Sequence, residues 1–148
     1  MQRQFSLAAL IPLVLALAAC HDTAAPTSLA DITARAKATW SAAGIQSYAF
    51  TASRSCECIP GSTGPVRITV VNGQVSSVVT IATNQAVAPE LWFDINGLFT
   101  TIEIELILRP SMLEATFDSA TGFPTHVKYG DLAVDAGADV VITNFLRA

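Results

Sequence analysis

Residues Val66–Ile81, which read VRITVVNGQVSSVVTI, carry the strongest local structural signal in the chain. Asn72 and Gly73 separate two runs of β-branched residues, and both residue types accept the positive φ angles that a two-residue hairpin turn needs. The alternation on either side places every second side chain on one face of the hairpin. That face is expected to contain Val66, Ile68 and Val70, with Val75 opposite Val70.

The segment before the hairpin predicts a helix followed by a strand. Ser28 can cap a helix that runs to about Ala43, and Gly44 is a typical helix end. Helical spacing predicts a buried face made of Leu29, Ile32, Ala36 and Trp40. The pattern then changes to a period of two over 46–54, which indicates a strand with Tyr48, Phe50 and Ala52 on one side.

The segment after the hairpin begins with a loop, 82–93, and continues into a second predicted helix. Asp94 can cap this helix, Ile95–Leu108, and Pro110 ends it. Its apolar residues recur at helical spacing, so one stripe should be buried. The members of that stripe are Ile95, Leu98, Phe99, Ile102 and Leu106.

Three further strands are predicted over 112–118, 123–130 and 139–146, where apolar and polar residues alternate. The order of elements is then α-β-β-β-α-β-β-β. Strands that follow one another through short turns favour antiparallel pairing. We therefore expect a single α+β domain over residues 29–148, with two helices packed on one face of an antiparallel sheet.

The N-terminus has the features of an export signal. A short start with one positive charge precedes an apolar run, Phe5–Ala19, which is too short for a confident membrane span. The run ends in Leu17-Ala18-Ala19-Cys20, which resembles the lipobox of bacterial lipoproteins. The resemblance implies a signal peptide at residues 1–19, a lipid-modified Cys20, and a tether over residues 20–28. The alternative is an ordinary secretory signal with a chance cysteine.

This interpretation places the protein in the bacterial cell envelope, outside the cytoplasm and bound to the membrane through lipid on Cys20. His21 follows the cysteine where aspartate would resemble an inner-membrane retention signal, so we expect the outer membrane if two membranes are present. The chain has 12 acidic and 8 basic residues, and it lacks the basic surface that nucleic-acid binding requires. Nucleic acid is therefore excluded as an expected partner.

Cys56 and Cys58 are separated by one residue, and three interpretations of them compete. Export would place them in an oxidising space, and lipid would occupy Cys20, so a local disulfide is the first interpretation. A reactive redox pair is the second, although such pairs normally have two intervening residues. A metal site is the third, since zinc needs three or four ligands and the chain has only two histidines.

The whole domain resembles a family of bacterial lipoproteins known only as a domain of unknown function. The resemblance covers residues 36–145 and rests on TWSAAGIQSYAFTASRSCECIP, VRITVVNGQVSSV and ATFDSATGFPTHVKYGD. The features shared with the family are Trp40, Tyr48, the pair Cys56 and Cys58, the Asn72-Gly73 hairpin and the turn Gly122-Phe123-Pro124. Many relatives carry an acidic pair before the last strand, whereas here Asp135 and Asp139 stand four positions apart. The resemblance implies no reaction, cofactor or catalytic residue.

No pattern of catalytic residues stands out in the sequence. A nucleophile elbow, a phosphate loop and a dinucleotide fingerprint are all missing from the sequence, and Glu103 and Glu105 do not share a helix face. His126 is expected to be a solvent-facing strand residue. We therefore expect a non-enzymatic binding or structural module without cofactor or metal, which contacts a protein or another envelope component. The alternative is a thiol-redox protein that uses Cys56 and Cys58.

Overall fold

The computed structural model describes residues 27–131 and 136–148, and within them it contains two helices and a six-stranded antiparallel sheet. In chain order the elements are α1 Leu29–Ala43, β1 Tyr48–Ser55, β2 Val66–Val71, β3 Gln74–Thr80, α2 Ile95–Leu108, β4 Met112–Phe117, β5 Pro124–Asp131 and β6 Ala136–Arg147. The predicted α+β class and element order are confirmed. The expected signal peptide, Cys20 and Asp135 lie outside the described residues.

Helix α1 begins and ends where the sequence predicts. The Ser28 hydroxyl accepts a hydrogen bond from the backbone N–H of Asp31, and the Asp31 carboxylate accepts one from the N–H of Ser28. Gly44 ends the helix in the left-handed conformation. Of the predicted buried face, Ala36 and Trp40 are buried and Leu29 is half-buried. The prediction is wrong at Ile32, which is 39% exposed, and Thr33 is buried in its place.

The sheet has the strand order β3-β2-β1-β6-β5-β4. It consists of two three-stranded antiparallel units, β1–β3 and β4–β6, which meet where β1 pairs with β6. Asn72 and Gly73 both have positive φ in the turn between β2 and β3, and Val70 stands opposite Val75 as predicted. The last strand begins at Ala136, three residues earlier than the sequence indicated.

Helix α2 has two partners at its first turn. The Asp94 carboxylate accepts a hydrogen bond from the N–H of Gly97, and the Tyr48 hydroxyl accepts one from the N–H of Ile95. Burial raises the pKa of Tyr48 to about 12, so the hydroxyl is protonated at neutral pH. The predicted stripe is buried at Ile95, Leu98, Phe99 and Ile102 and half-buried at Leu106.

An aromatic cluster joins α1 to the centre of the sheet. The Trp40 ring meets Tyr48 edge-on at 5.3 Å, and Phe145 stacks on Phe123 at 4.4 Å. The register between β1 and β6 shifts between Ala49 and Thr51, because β6 has one extra residue there, beside Asn144, whose φ is 51°. Phe145 can therefore face the side of the sheet on which the core packs. The extra residue reverses the alternation of β6 at that point.

The two helices run antiparallel over the same face of the sheet. The Trp40 indole N–H donates to the side chain of Asn96, and the Lys37 ammonium binds the Glu103 carboxylate at 2.7 Å. Trp40, near the end of α1, thus contacts the start of α2, and Lys37, one turn earlier in α1, contacts a residue two turns later in α2. Glu103 is therefore an interhelical ion-pair partner, not simply the solvated residue that the sequence suggested.

Candidate functional site

A cavity of about 340 Å³ lies at the end of the sheet where β1 and β5 finish and β6 begins. Its walls include Cys56 and Glu57 from the segment after β1, Met112 from the start of β4, and Lys128 and Asp139 from β5 and β6. The site is made by strand ends that are distant in sequence. Such an arrangement follows from the pairing of β1, β5 and β6, which short-range patterns do not encode.

The Cys56 and Cys58 side chains face each other with their sulfurs within bonding distance. Their Cα atoms are 5.2 Å apart, whereas alternate residues of an extended strand lie about 6.5–7 Å apart. The separation shortens because β1 ends at Ser55 and the chain bends immediately after it. Cys56 packs against the core, and Cys58 is exposed.

The charges around the cavity alternate across the strands. Lys128 stands opposite Glu114 on β4 and opposite Asp139 on β6, so these three residues share one face of the sheet. His126 Nε2 lies 2.7 Å from the Asp139 carboxylate. Glu57 and Asp131 add two more carboxylates to the cavity wall. Acidic groups therefore outnumber basic ones around this space.

Arg54 fixes the loop on the core side of the cavity. Its guanidinium lies 4.6 Å from the centre of the Trp92 ring and donates a hydrogen bond to the carbonyl of Leu91. Burial lowers the pKa of Arg54 from its ordinary value, but the group stays protonated in the physiological range. The side chain is used to hold the 3₁₀ turn Pro89–Leu91 against β1.

Residues 33–146 match the sequence pattern of DUF6174, a family of unknown function. The chain belongs to this family. No curated protein and no solved structure matches the chain. The DUF6174 match covers nearly the same residues as the resemblance drawn from the motifs, 36–145. It therefore includes α1 from its fifth residue, the sheet except for Arg147 at the end of β6, and the cavity.

The structure brings some of the predicted site residues together, and one of them lies outside the residues that it describes. Cys56 and Cys58 are adjacent in space, as the disulfide interpretation requires. Cys20 lies outside the described residues. Within the ranges 27–131 and 136–148 there is no group of three His, Cys, Asp or Glu side chains able to hold a metal ion. The contact of His126 with Asp139 was missed, although both occupy solvent-facing positions on strands that the sequence identified.

We expect the DUF6174 domain to contain an oxidised Cys56–Cys58 pair with a small effect on stability. Replacing both cysteines with serine should lower the free energy of unfolding by about 1 kcal/mol, since the bond closes a very short loop and restrains the unfolded chain little. A thiol count on the denatured protein, with and without reductant, tests the bond. A urea unfolding curve of the double variant tests its energy. Two free thiols before reduction would contradict the prediction.

Proposed function

We propose that this DUF6174 protein is a lipid-anchored, non-enzymatic binding module of the bacterial cell envelope. In this proposal it holds an extended segment of a partner protein along the outer edge of β4. The proposal combines the resemblance of the sequence ending at Cys20 to a lipobox with one structural observation, the difference between the two edges of the sheet.

The second half of the edge formed by β3, residues 78–80, is covered by the chain that follows it. The backbone N–H of Val87 donates to the carbonyl of Val78, and the N–H of Thr80 donates to the carbonyl of Gln85. Ala86 forms a β-bridge with Val79. An incoming strand would find these backbone groups already paired.

The edge formed by β4 is not covered by backbone hydrogen bonds in this way. β4 pairs with β5 on one side, and no backbone hydrogen bond from elsewhere in residues 27–131 and 136–148 reaches its other side. Glu114 and Thr116 on this strand are exposed. Strand addition to such an edge supplies main-chain hydrogen bonds for affinity, while the flanking pockets select side chains. This open edge is the observation that carries the proposal.

The cavity supplies a basis for selectivity. It reaches Met112, the first residue of β4, so a segment bound along the strand would place one end beside it. Since the exposed carboxylate of Glu57 and the carboxylate of Asp139 are in the cavity wall with one ammonium, that of Lys128, a lysine or arginine of the partner segment is the favoured occupant. The proposed partner is thus an extended segment with a basic side chain at that end.

Site-specific photo-crosslinking of the lipidated protein in its own membranes tests the β4 edge. The photoreactive residue replaces Glu114 or Thr116 on β4, and Val79 and Thr80 on β3 serve as half-exposed controls on the covered part of that edge. We expect an adduct of one common mass from both β4 positions and none from the β3 positions. Equal adducts from both edges, or none from β4, would exclude this binding mode.

We also expect the mature protein to begin at a lipid-modified Cys20. The proposal assigns membrane attachment to acyl chains on that cysteine. The described part of the chain contains no helix long and apolar enough to cross a membrane. Mass spectrometry of the N-terminal peptide gives the answer. An unmodified cysteine, or a mature start at another residue, would remove the anchor from the proposal without affecting the β4 edge.

A thiol-redox function is the second candidate, and one observation favours it. Cys58 is exposed and its partner Cys56 lines the cavity, so a substrate thiol could reach the pair. The reduction potential separates the two functions. A structural bond should have a potential below about −300 mV, whereas a catalytic pair should lie near the potential of its compartment.

A further inference from the structure

Helix α2 carries exposed apolar side chains on the face directed away from the sheet. Ile104, Ile107 and Leu108 are 49%, 79% and 67% exposed. Their spacing of i, i+3 and i+4 places them together on one side of the last turns, and we call them the α2 patch. A helix that packs on a sheet normally has polar residues on this side, and a helix that is apolar all round is normally covered.

The α2 patch lies at the end of the domain from which the chain enters. Because α1 and α2 are antiparallel, the last turn of α2 and the first turn of α1 are at the same end of the helical layer. The expected tether, residues 20–28, leads directly into α1 at that end. The hairpin turn lies at the opposite end, since the N–H of Gly73 donates to the carbonyl of Gln46, just after α1 ends.

We infer that the α2 patch contacts the lipid bilayer to which the protein is anchored. This inference rests on the proposed lipid on Cys20. The eight residues that follow Cys20, 21–28, can span at most about 26–29 Å, so the anchor holds this end of the domain near the membrane surface. A weak apolar contact is sufficient there, because attachment gives the patch a high effective concentration at the bilayer.

The composition of the patch suits the bilayer interface. Two isoleucines and a leucine can enter the boundary between headgroups and acyl chains, and the exposed Arg109 next to them can remain beside lipid phosphates. In this orientation the Met112 end of β4 and the cavity face the membrane. The Asn72-Gly73 hairpin points away from it.

Fluorescence quenching by brominated lipid tests the contact. The full lipidated protein carries Ile107→Trp, or Leu108→Trp as a second probe, and Val71→Trp is the control because it is 47% exposed at the far end. All variants share the buried Trp40 and Trp92 as a constant background. The proteins are reconstituted into phosphatidylcholine vesicles with bromine on the acyl chains near the headgroups, and flotation of the vesicles reports the anchor.

We expect every variant to float with the vesicles. The emission added by Ile107→Trp and Leu108→Trp should be quenched at least about twofold more strongly than that added by Val71→Trp, since only the patch enters the interface. Flotation with equal quenching at all three positions would overturn the inference and leave the anchor standing. A blue-shifted emission at position 107 without bromine quenching would mean that another protein surface covers the patch. Failure to float would overturn the anchor and the inference together.

Discussion

Phe99→Ala is expected to lower the free energy of unfolding by about 3–5 kcal/mol, as large-to-small substitutions in protein cores do. Phe99 is fully buried on the sheet side of α2. Its ring stacks on Phe117 of β4 at 5.9 Å and nearly parallel to it. Removing the ring leaves a space between a helix and a strand that are each fixed by other contacts, so the space cannot close completely.

Ile107→Ala is the matched control for this prediction, because it shortens a large apolar side chain on the same helix at a position that is 79% exposed. Thermal and urea unfolding of both variants, in detergent without vesicles, gives the comparison. The control should cost no more than about 0.5 kcal/mol. If Phe99→Ala lowered the free energy of unfolding as little as the control does, Phe99 would not be packed between α2 and the sheet.

The parts of the fold that the sequence predicted well are those determined by neighbouring residues. The Asn72-Gly73 turn needs two positive φ angles, and few residue pairs other than this type provide them. Helix α2 was predicted from Ile95 to Leu108 because a capping aspartate and a proline bracket its apolar stripe. In both cases the physical cause lies within a few residues of the effect.

The parts that were missed depend on distant partners. Ile32 is more apolar than Thr33, yet Thr33 is buried because α1 is oriented by the contacts of Trp40 with Tyr48 and Asn96. The inward position of Phe145 requires the bulge opposite Phe50, which periodicity in β6 alone does not reveal. Tertiary packing decides such choices between neighbouring residues.

The candidate site likewise contains one part that the sequence predicted and one part that it did not. The close approach of Cys56 and Cys58 was anticipated from the expected compartment and from the shortage of other cysteines. The cavity beside them was not, because the register of β5 and β6 is needed to bring Lys128 opposite Asp139. The covered β3 edge was equally hidden, since residues 82–88 read only as a loop and their hydrogen bonds to β3 are a property of the folded chain.

Gly122→Ala is expected to lower the free energy of unfolding by about 2–5 kcal/mol. Gly122 has φ +82°, and a Cβ atom there would lie 2.2 Å from the backbone carbonyl oxygen of Ala36. The left-handed conformation costs an alanine about 1–2 kcal/mol, and displacing packed backbone adds about 1–3 kcal/mol. This position is the glycine of the Gly122-Phe123-Pro124 turn in the family resemblance, and the contact explains why a side chain does not fit.

The turn cannot move away from α1 to relieve the contact. The Asp118 carboxylate accepts hydrogen bonds from the backbone of Ala120 and from both the backbone and hydroxyl of Thr121, and the N–H of Gly122 donates to the carbonyl of Asp118. The bonds from Thr121 hold the pKa of Asp118 below its ordinary value, as expected for a carboxylate that is well satisfied. On the other side Phe123 is held by its stacking on Phe145. The displacement must therefore fall on α1.

Gly44→Ala separates the two causes of this cost. Gly44 has φ +61° but no atom within 4 Å of the position its Cβ would take, so its replacement should cost only the conformational part, about 1–2 kcal/mol. Urea unfolding followed by tryptophan fluorescence measures both variants, and Trp40, next to the Gly122 contact, should change its emission only in Gly122→Ala. Equal costs for the two substitutions would show that α1 yields to the added methyl group. A cost for Gly122→Ala that exceeds the control by 1 kcal/mol or more, about the lower end of the displacement cost, would show that the close approach of this turn to α1 positions the helix on the sheet.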